Sequence, residues 1–177
     1  MTSRRCASSM RVDTSARPSA VFVAVPGAGA LLAAAGIPRA RRELQPHVTV
    51  LWPFLPARRL DRAALDRLAG ALASRRAFRA SFSTIGHFPG VVYLAPDDPA
   101  PFVALTEAVA AAWPEHPPYE GAYDEVVPHL TIGGGEVDER RLRDLLPLTA
   151  DVDAVSVGVQ RRFFGWRTVT RVPLSAS

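Results

Sequence analysis

Lysine is absent from the chain. All 21 basic residues are arginine, and with 17 acidic residues they give a net charge of +4. Arginine suits planar, bidentate contacts with phosphate, but a GC-rich coding sequence would produce the same bias. Because the net charge is modest and no long basic run occurs, the charge alone does not indicate a large RNA-binding surface.

Cysteine and the common metal and nucleotide signatures are also scarce. The single cysteine, Cys6, excludes a disulfide framework within the chain. The chain has no His-Glu-x-x-His and no cysteine pair, which are usual sources of metal ligands. Gly133-Gly134-Gly135 is not followed by Gly-Lys-Ser/Thr, so it favours a strand-to-helix turn over a phosphate-binding P-loop. We therefore expect neither a metal nor a cofactor.

A membrane span is not expected either, although residues 20–37 carry no charge. One proline and two glycines interrupt this run. Its first part, Val21–Val25, is β-branched and aromatic and favours a strand. Its second part, Gly29–Gly36, is rich in alanine and leucine and favours a short helix. We therefore expect a cytoplasmic protein without a membrane partner.

Composition also indicates the domain organisation. Residues 1–19 are rich in serine and arginine and lack apolar periodicity, which predicts a disordered N-terminal arm. Met10 is an alternative translation start. Residues 20–177 are predicted to form one domain, because a chain of 177 residues with 48% hydrophobic content can bury a sizeable core.

Hydrophobic periodicity predicts an α+β fold. After the first strand and helix, we expect strands at residues 47–51, 78–88, 91–94, 127–132, 152–159 and 167–174. We expect helices at residues 58–73, 99–112 and 136–146. In the resulting order, β-α-β-α-β-β-α-β-α-β-β, the second half resembles the first. This pattern favours an antiparallel or mixed sheet in each half.

Two short motifs of the same form occur, one in each half. Pro46–Phe54 has the sequence PHVTVLWPF, and Pro128–Ile132 has the sequence PHLTI. Side chains alternate between the faces of a strand, so each His and the Thr two residues later point the same way. The apolar residue between them points into a core. This duplication predicts two half-sites that face one cleft.

The paired motifs resemble the two His-x-Thr/Ser signatures of the two-histidine (2H) phosphoesterase superfamily. That superfamily includes 2′-5′ RNA ligase-like proteins and cyclic nucleotide phosphodiesterases, and the resemblance extends from about Val21 to Leu174. It implies a bilobal, pseudo-two-fold domain with helices packed outside the sheets and one His-x-Thr in each lobe of a central cleft. It also implies four catalytic residues: His47, Thr49, His129 and Thr131.

The chemistry of these side chains agrees with that implication. Opening a 2′,3′-cyclic phosphate or a 2′-5′ linkage needs a base for the attacking oxygen and an acid for the leaving oxygen, and imidazole titrates near neutrality. Threonine hydroxyls can donate to the non-bridging phosphate oxygens. We therefore expect a metal-independent hydrolase, reversible as a 2′-5′ RNA ligase, in which either histidine can be the base. A non-catalytic RNA- or nucleotide-binding protein of the same fold is the alternative, and a phosphoesterase for another small metabolite is a third possibility.

Aromatic and arginine side chains are the candidates for substrate binding. We select Phe54 and Trp166 to stack on a base or ribose, and Arg161 to contact phosphate. Core packing for the aromatics and surface charge for the arginine are the alternatives. The expected partner is a nucleotide or an RNA terminus. We expect a monomer, because the predicted lobes can cover each other's sheets.

Overall fold

The structure is a computed structural model that describes residues 17–37, 44–122, 126–134, 137–161 and 165–176. Its strands are β1 (Ser19–Ala24), β2 (His47–Leu51), β3 (Phe78–Phe88), β4 (Val91–Pro96), β5 (Leu130–Gly134), β6 (Leu148–Val152), β7 (Ala154–Gln160) and β8 (Trp166–Pro173). Its α-helices are α1 (Ala28–Ala34), α2 (Arg62–Leu72), α3 (Ala100–Ala112) and α4 (Glu139–Arg143). Short 3₁₀ turns are formed by Ala57–Arg59 and Pro118–Gly121.

The strands form one sheet with the order β6-β3-β4-β5-β2-β1-β7-β8. All neighbouring strands in this order are antiparallel. From the centre outward, one half is β2-β1-β7-β8 and the other is β5-β4-β3-β6, so each half contributes four strands. The predicted α+β fold with two pseudo-symmetric lobes is confirmed, and the sheet in each lobe is antiparallel rather than mixed.

The hydrophobic core lies on the face of the sheet against which α2 and α3 pack. Phe102 of α3 packs edge-on against Phe78 of β3, with ring centroids 5.1 Å apart. Leu68 of α2 is completely buried in the same core. Val48 and Leu130, the middle residues of the two His-x-Thr motifs, are also completely buried there. The side chains that flank them in each motif therefore point to the opposite, open face of the sheet.

The structure differs from the sequence prediction near the C-terminus. The single strand predicted at residues 152–159 spans the boundary between two strands, because β6 ends at Val152 and β7 begins at Ala154. These two strands are not paired with each other: β6 pairs with β3, and β7 pairs with β1 and β8. The break at Asp153 contains neither glycine nor proline, so the usual sequence signals that end a strand are missing. Buried Val152 and Val155 lie on either side of it, which makes the apolar pattern look continuous.

Two helices also begin later than predicted, each at an aspartate cap. Asp61 accepts a hydrogen bond from the Ala64 backbone N–H at 2.9 Å, and α2 begins directly after it. Asp138 accepts from the Arg141 backbone N–H at 3.1 Å, and α4 begins directly after it. An N-cap residue has non-helical backbone angles, so it determines where the helix begins, at a point that helix propensity alone does not mark.

The first strand begins one residue before the predicted start of the domain at residue 20. Ser19 begins β1, is completely buried, and donates its hydroxyl hydrogen to the Leu55 carbonyl at 2.5 Å. The Pro18 carbonyl accepts from the Gln160 N–H at 3.0 Å. Residues 1–16 of the predicted arm lie outside the described residues. In the described part of the chain, no helix is both long and apolar enough to cross a membrane.

Hydrogen bonds to the Asp97 carboxylate hold a bulge in β3. The register of β3 against β4 shifts between Phe82 and Thr84. Asp97, directly after β4, accepts from the Ser81 hydroxyl at 2.5 Å, from the Ser83 backbone N–H at 3.0 Å and from the Ser83 hydroxyl. These hydrogen bonds, with that of Ser81 the largest cause, hold the pKa of the Asp97 carboxyl below its ordinary value, against the opposing effect of desolvation.

We expect Asp97→Asn to lower the free energy of unfolding by about 1 kcal/mol at neutral pH, a modest value because the hydrogen bonds to Asp97 are exposed. Since the folded-state pKa is lowered, the carboxylate contributes fully above its unfolded-state pKa and loses this contribution as pH falls through the folded-state pKa. The difference in urea midpoint between wild type and variant should therefore shrink from neutrality to roughly pH 3. Asp66→Asn, which removes an exposed ion pair with Arg62, is the matched control. A difference for Asp97→Asn that stayed constant on acidification would contradict this role.

Candidate active site

The two His-x-Thr motifs lie side by side on the central strands. β2 and β5 are antiparallel and pair at the middle residues of the two motifs. Continuing that register by one residue in each direction places His47 opposite Thr131 and Thr49 opposite His129. Side chains directly opposite in an antiparallel pair have Cβ atoms about 4.5–5.5 Å apart. The structure therefore brings the four predicted catalytic residues together on the open face.

Each histidine is held by the same backbone hydrogen bond. His47 Nδ1 lies 2.9 Å from the Gln45 carbonyl oxygen, and His129 Nδ1 lies 2.8 Å from the Val127 carbonyl oxygen. A carbonyl oxygen can only accept, so Nδ1 of each ring carries a hydrogen and donates it. In the neutral ring, Nε2 is consequently the nitrogen that can take up a proton. Both imidazoles are thus prepared to exchange protons through Nε2.

The proline before each histidine helps to explain this hydrogen bond. In both motifs the accepting carbonyl belongs to the residue that precedes the proline. A residue before proline is restricted to extended conformations, so the direction of its carbonyl is limited before the strand begins. Pro46 and Pro128 also lack an N–H group, which suits a position at the start of a strand.

A cavity of about 940 Å³ surrounds the four side chains. His47, Thr49, His129 and Thr131 all line it. Three of them are half-buried, whereas Thr131 is exposed. Much of the remaining described lining is apolar or aromatic: Leu32, Ala35, Ile37, Leu44, Trp52, Val91, Tyr119, Ile132, Val137 and Trp166. A cavity of this size, with apolar walls and a few convergent polar groups, has the character of a small-molecule binding site.

The three predicted substrate-binding residues lie in different places. Trp166, at the start of β8, is half-buried and lines the cavity. Phe54 is 4% exposed and packs edge-on against Trp113, with ring centroids 4.9 Å apart. Phe54 therefore belongs to the core and not to the substrate-binding set that the sequence suggested. Arg161 is exposed and is not among the described residues that line the cavity.

Sequence reasoning missed the aromatic residues that contact the two histidines. The Phe22 ring of β1 lies 5.1 Å from the His47 ring, at 62° to it. The rings of Tyr93 and Phe88 lie 5.4 and 5.0 Å from the His129 ring. All three aromatics fall in strands that hydrophobic patterning predicts. Only the strand order, however, places β1 beside β2 and β4 beside β5.

The two other histidines are not among the described residues that line the cavity, whereas the glycine run after the second motif borders it. His87 is exposed and its Nε2 lies 2.7 Å from Glu139 Oε1, and His116 is half-buried in the loop after α3. Gly133 and Gly134 end β5 and line the cavity, while residue 135 lies outside the described residues. Within the described ranges, no group of three or more His, Cys, Asp or Glu side chains is placed to hold a metal ion.

Comparison with known proteins identifies relatives of this chain. The sequence model of the 2′-5′ RNA ligase superfamily matches residues 15–162. TT0787 of Thermus thermophilus is 19% identical, with a TM-score of 0.64 over 91% of this chain and 99% of that chain. E. coli LigT complexed with 3′-AMP is 15% identical, with a TM-score of 0.63 over 90% of this chain and 98% of that chain. E. coli LigT complexed with NADP+ is 15% identical, with a TM-score of 0.61 over 90% of this chain and 98% of that chain. A search of curated protein sequences gives no significant match.

The family match and the structural matches are consistent with each other. The matched residues run from before β1 to beyond β7 and include both His-x-Thr motifs. At these identities the solved structures show the fold, and the fold they show is that of LigT. The chain belongs to the 2′-5′ RNA ligase superfamily, within the two-histidine phosphoesterases, and is an enzyme of that general kind.

Proposed function

We propose that this protein is a metal-independent phosphoesterase that hydrolyses 2′,3′-cyclic phosphates or 2′-5′ phosphodiester bonds in nucleotides or RNA ends. The same site would form a 2′-5′ bond when the reaction runs in reverse. The observation that carries the proposal is the pair of histidines on β2 and β5, each bound through Nδ1 to the carbonyl two residues earlier. Such a pair can supply an acid and a base to one phosphorus.

The two histidines divide the proton transfers in the proposed reaction. Nε2 of the neutral histidine takes a proton from water as the water oxygen forms a bond to phosphorus. The P–O2′ or P–O3′ bond opposite breaks, and the protonated histidine donates its Nε2 hydrogen to the leaving oxygen. When a 5′ hydroxyl takes the place of water, it forms the P–O5′ bond, the P–O3′ bond of the cyclic phosphate breaks, and a 2′-5′ linkage results with the same division of roles. In the reverse of this ligation, the 3′ hydroxyl attacks phosphorus, the P–O5′ bond breaks, and the histidines exchange roles. The near-symmetry of the site is compatible with either assignment of base and acid.

The two threonines have a complementary role. Each lies opposite the histidine of the other motif in the register that joins β2 and β5. Their hydroxyls can therefore donate to the non-bridging oxygens of a phosphate held between the imidazoles. Negative charge on these oxygens grows in the transition state, so fixed donors lower the barrier more than they tighten substrate binding.

The cavity supports a nucleotide-sized substrate. Its volume of about 940 Å³ exceeds what a phosphate alone would fill. Trp52 and Trp166 are aromatic residues in its wall, and aromatic rings stack on bases with little dependence on sequence. LigT has been solved with 3′-AMP, NADP+ and ATP, which supports a nucleotide as the ligand class. We further propose that residues 20–177 act as a single catalytic domain, as a monomer and in the cytoplasm.

The proposal is tested by assaying purified protein in the presence of EDTA. Nucleoside 2′,3′-cyclic monophosphates and a 2′-5′-linked dinucleotide are the substrates, and chromatography of the products identifies which ester bond opens. We expect turnover of at least one substrate, undiminished by EDTA. Tight binding of these ligands without turnover would support the non-catalytic binding protein instead. Activity that EDTA abolishes and added metal restores would overturn the metal-independent mechanism.

A further inference from the structure

An aromatic ring separates a glycine from the catalytic histidine in each half of the sheet. In one half, the Tyr93 ring of β4 lies 5.4 Å from the His129 ring at 61° to it. Phe88 stacks on Tyr93, with ring centroids 4.3 Å apart and an interplanar angle of 24°. Phe88 also packs edge-on against His129 at 5.0 Å. Two rings thus border the imidazole of His129.

The Tyr93 ring can adopt this position only because residue 86 has no side chain. Gly86 of β3 lies directly opposite Tyr93 in the pairing of β3 with β4. A Cβ atom on Gly86 would lie 2.3 Å from Tyr93 Cζ, 2.5 Å from Cε2 and 2.6 Å from Oη. These separations are far below van der Waals contact, and they involve a rigid ring rather than the end of a flexible chain. Any larger residue at position 86 would force the ring to move.

The same order recurs in the other half. Gly158 of β7 lies beside the Phe22 ring, and a Cβ atom there would be 3.0 Å from Phe22 Cε1. Phe22 packs against His47 at 5.1 Å. From the centre of the sheet outward, the order is histidine strand, aromatic strand, glycine strand in both halves: β2-β1-β7 and β5-β4-β3. The arrangement follows the pseudo-symmetry of the fold, although the aromatic residues and the surrounding loops differ.

We propose that Gly86 and Gly158 are positioning residues, which act through Tyr93 and Phe22 to hold His129 and His47. The Nδ1 hydrogen bond fixes one atom of each imidazole, but by itself it leaves the ring free to tilt about that bond. A ring packed against the imidazole limits this tilt and opposes the flip about Cβ–Cγ, which would put Cδ2 in the place of Nδ1 and break the hydrogen bond. The effect on turnover rests on the proposed function, whereas the effect on the imidazole does not.

The proposal is tested on the His129 side with a double-mutant cycle. The variants are Gly86→Ala, Tyr93→Val and the double variant, and Gly70→Ala is the matched control because a Cβ atom at position 70 meets nothing within 4 Å. In protein labelled with ¹⁵N-histidine, ring ¹⁵N shifts and couplings report which nitrogen carries the hydrogen. Wild type and Gly70→Ala should show His129 as the Nδ1–H tautomer. Gly86→Ala and Tyr93→Val should each show added Nε2–H tautomer.

The kinetic part of the cycle has a distinct expectation. Gly86→Ala and Tyr93→Val should each lower kcat by about tenfold or more, with KM changed much less, because small displacements of a catalytic group are costly. The double variant should be no worse than Tyr93→Val alone, since alanine at position 86 is tolerated once the ring is gone. Tyr93→Phe retains the ring and should keep the wild-type tautomer.

Several outcomes would overturn the proposal. These are independent, additive losses in the double variant, unchanged His129 signals in folded Tyr93→Val, or a Tyr93→Phe spectrum like that of Tyr93→Val. Thermal melts establish that each variant is folded. If the wild type turned over no substrate, the proposed function would fail, and the ¹⁵N signals alone would still decide whether Gly86 positions His129 through Tyr93.

Discussion

His47→Ala and His129→Ala should each reduce kcat on a nucleoside 2′,3′-cyclic phosphate by about 10²- to 10⁴-fold, with a much smaller change in KM. Each substitution removes the Nε2 atom that accepts or donates the proton during displacement at phosphorus. Because base and acid act in one displacement, the double variant should be little slower than the slower single variant. Steady-state kinetics with product analysis on the purified variants provide the measurement.

The controls separate catalysis from folding. His87→Ala makes the same substitution at an exposed histidine outside the cavity and should retain wild-type kcat. His47→Gln and His129→Gln keep a polar side chain that cannot carry the proton transfer, so they should be as slow as the alanine variants while melting near the wild type. Folded glutamine variants with near wild-type kcat would exclude the two histidines as acid and base.

The pH dependence should distinguish the two roles. Wild-type activity should follow a bell-shaped profile, because one imidazole must be neutral and the other protonated at the same time. The variant that lacks the base should lose the acidic limb of the profile in its residual activity. The variant that lacks the acid should lose the alkaline limb. The site geometry does not favour one assignment, since both histidines make the same Nδ1 hydrogen bond.

The location of His47, Thr49, His129 and Thr131 on one face of two strands was predictable from the sequence, because the information that places them is local. A Pro-His-apolar-Thr run specifies a strand, the face of each side chain and the buried residue between them. Its repetition implied that two such strands meet, and β2 and β5 do so. Of the two aromatics selected from the sequence, Trp166 lines the cavity and Phe54 does not. Nothing within WPF distinguishes a ring that lines the cavity from one that packs on Trp113.

The surroundings of the histidines depend on strand order, which local patterns do not contain. Tyr93 and Gly86 belong to adjacent strands that the sequence predicted, yet their contact depends on the register of β3 against β4. The break between β6 and β7 was missed for a related reason: no glycine or proline marks it. Pairing to β3 and β1 defines these two strands, rather than any signal within residues 148–160.

Thr49→Val should reduce kcat by about 10²-fold, and Thr131→Val by a smaller factor. Valine nearly preserves the shape of threonine but removes the hydroxyl that would donate to a non-bridging phosphate oxygen, and loss of one such donor typically costs about 10²–10³ in kcat. Thr49 is half-buried and Thr131 is exposed, so water can partly replace the second donor but not the first. Because the charge develops in the transition state, kcat should fall more than affinity for substrate.

Serine variants provide the decisive comparison for the threonines. Thr49→Ser and Thr131→Ser keep the hydroxyl and should recover most of the activity that valine removes. Thr149→Val changes an exposed threonine on the edge strand β6, away from the cavity, and should leave kcat unchanged. If serine and valine gave equal losses at position 49, the methyl group and its packing would matter rather than the donor. The threonines would then belong to the shape of the cleft, and the histidines alone would carry the stabilisation of the phosphorane-like transition state.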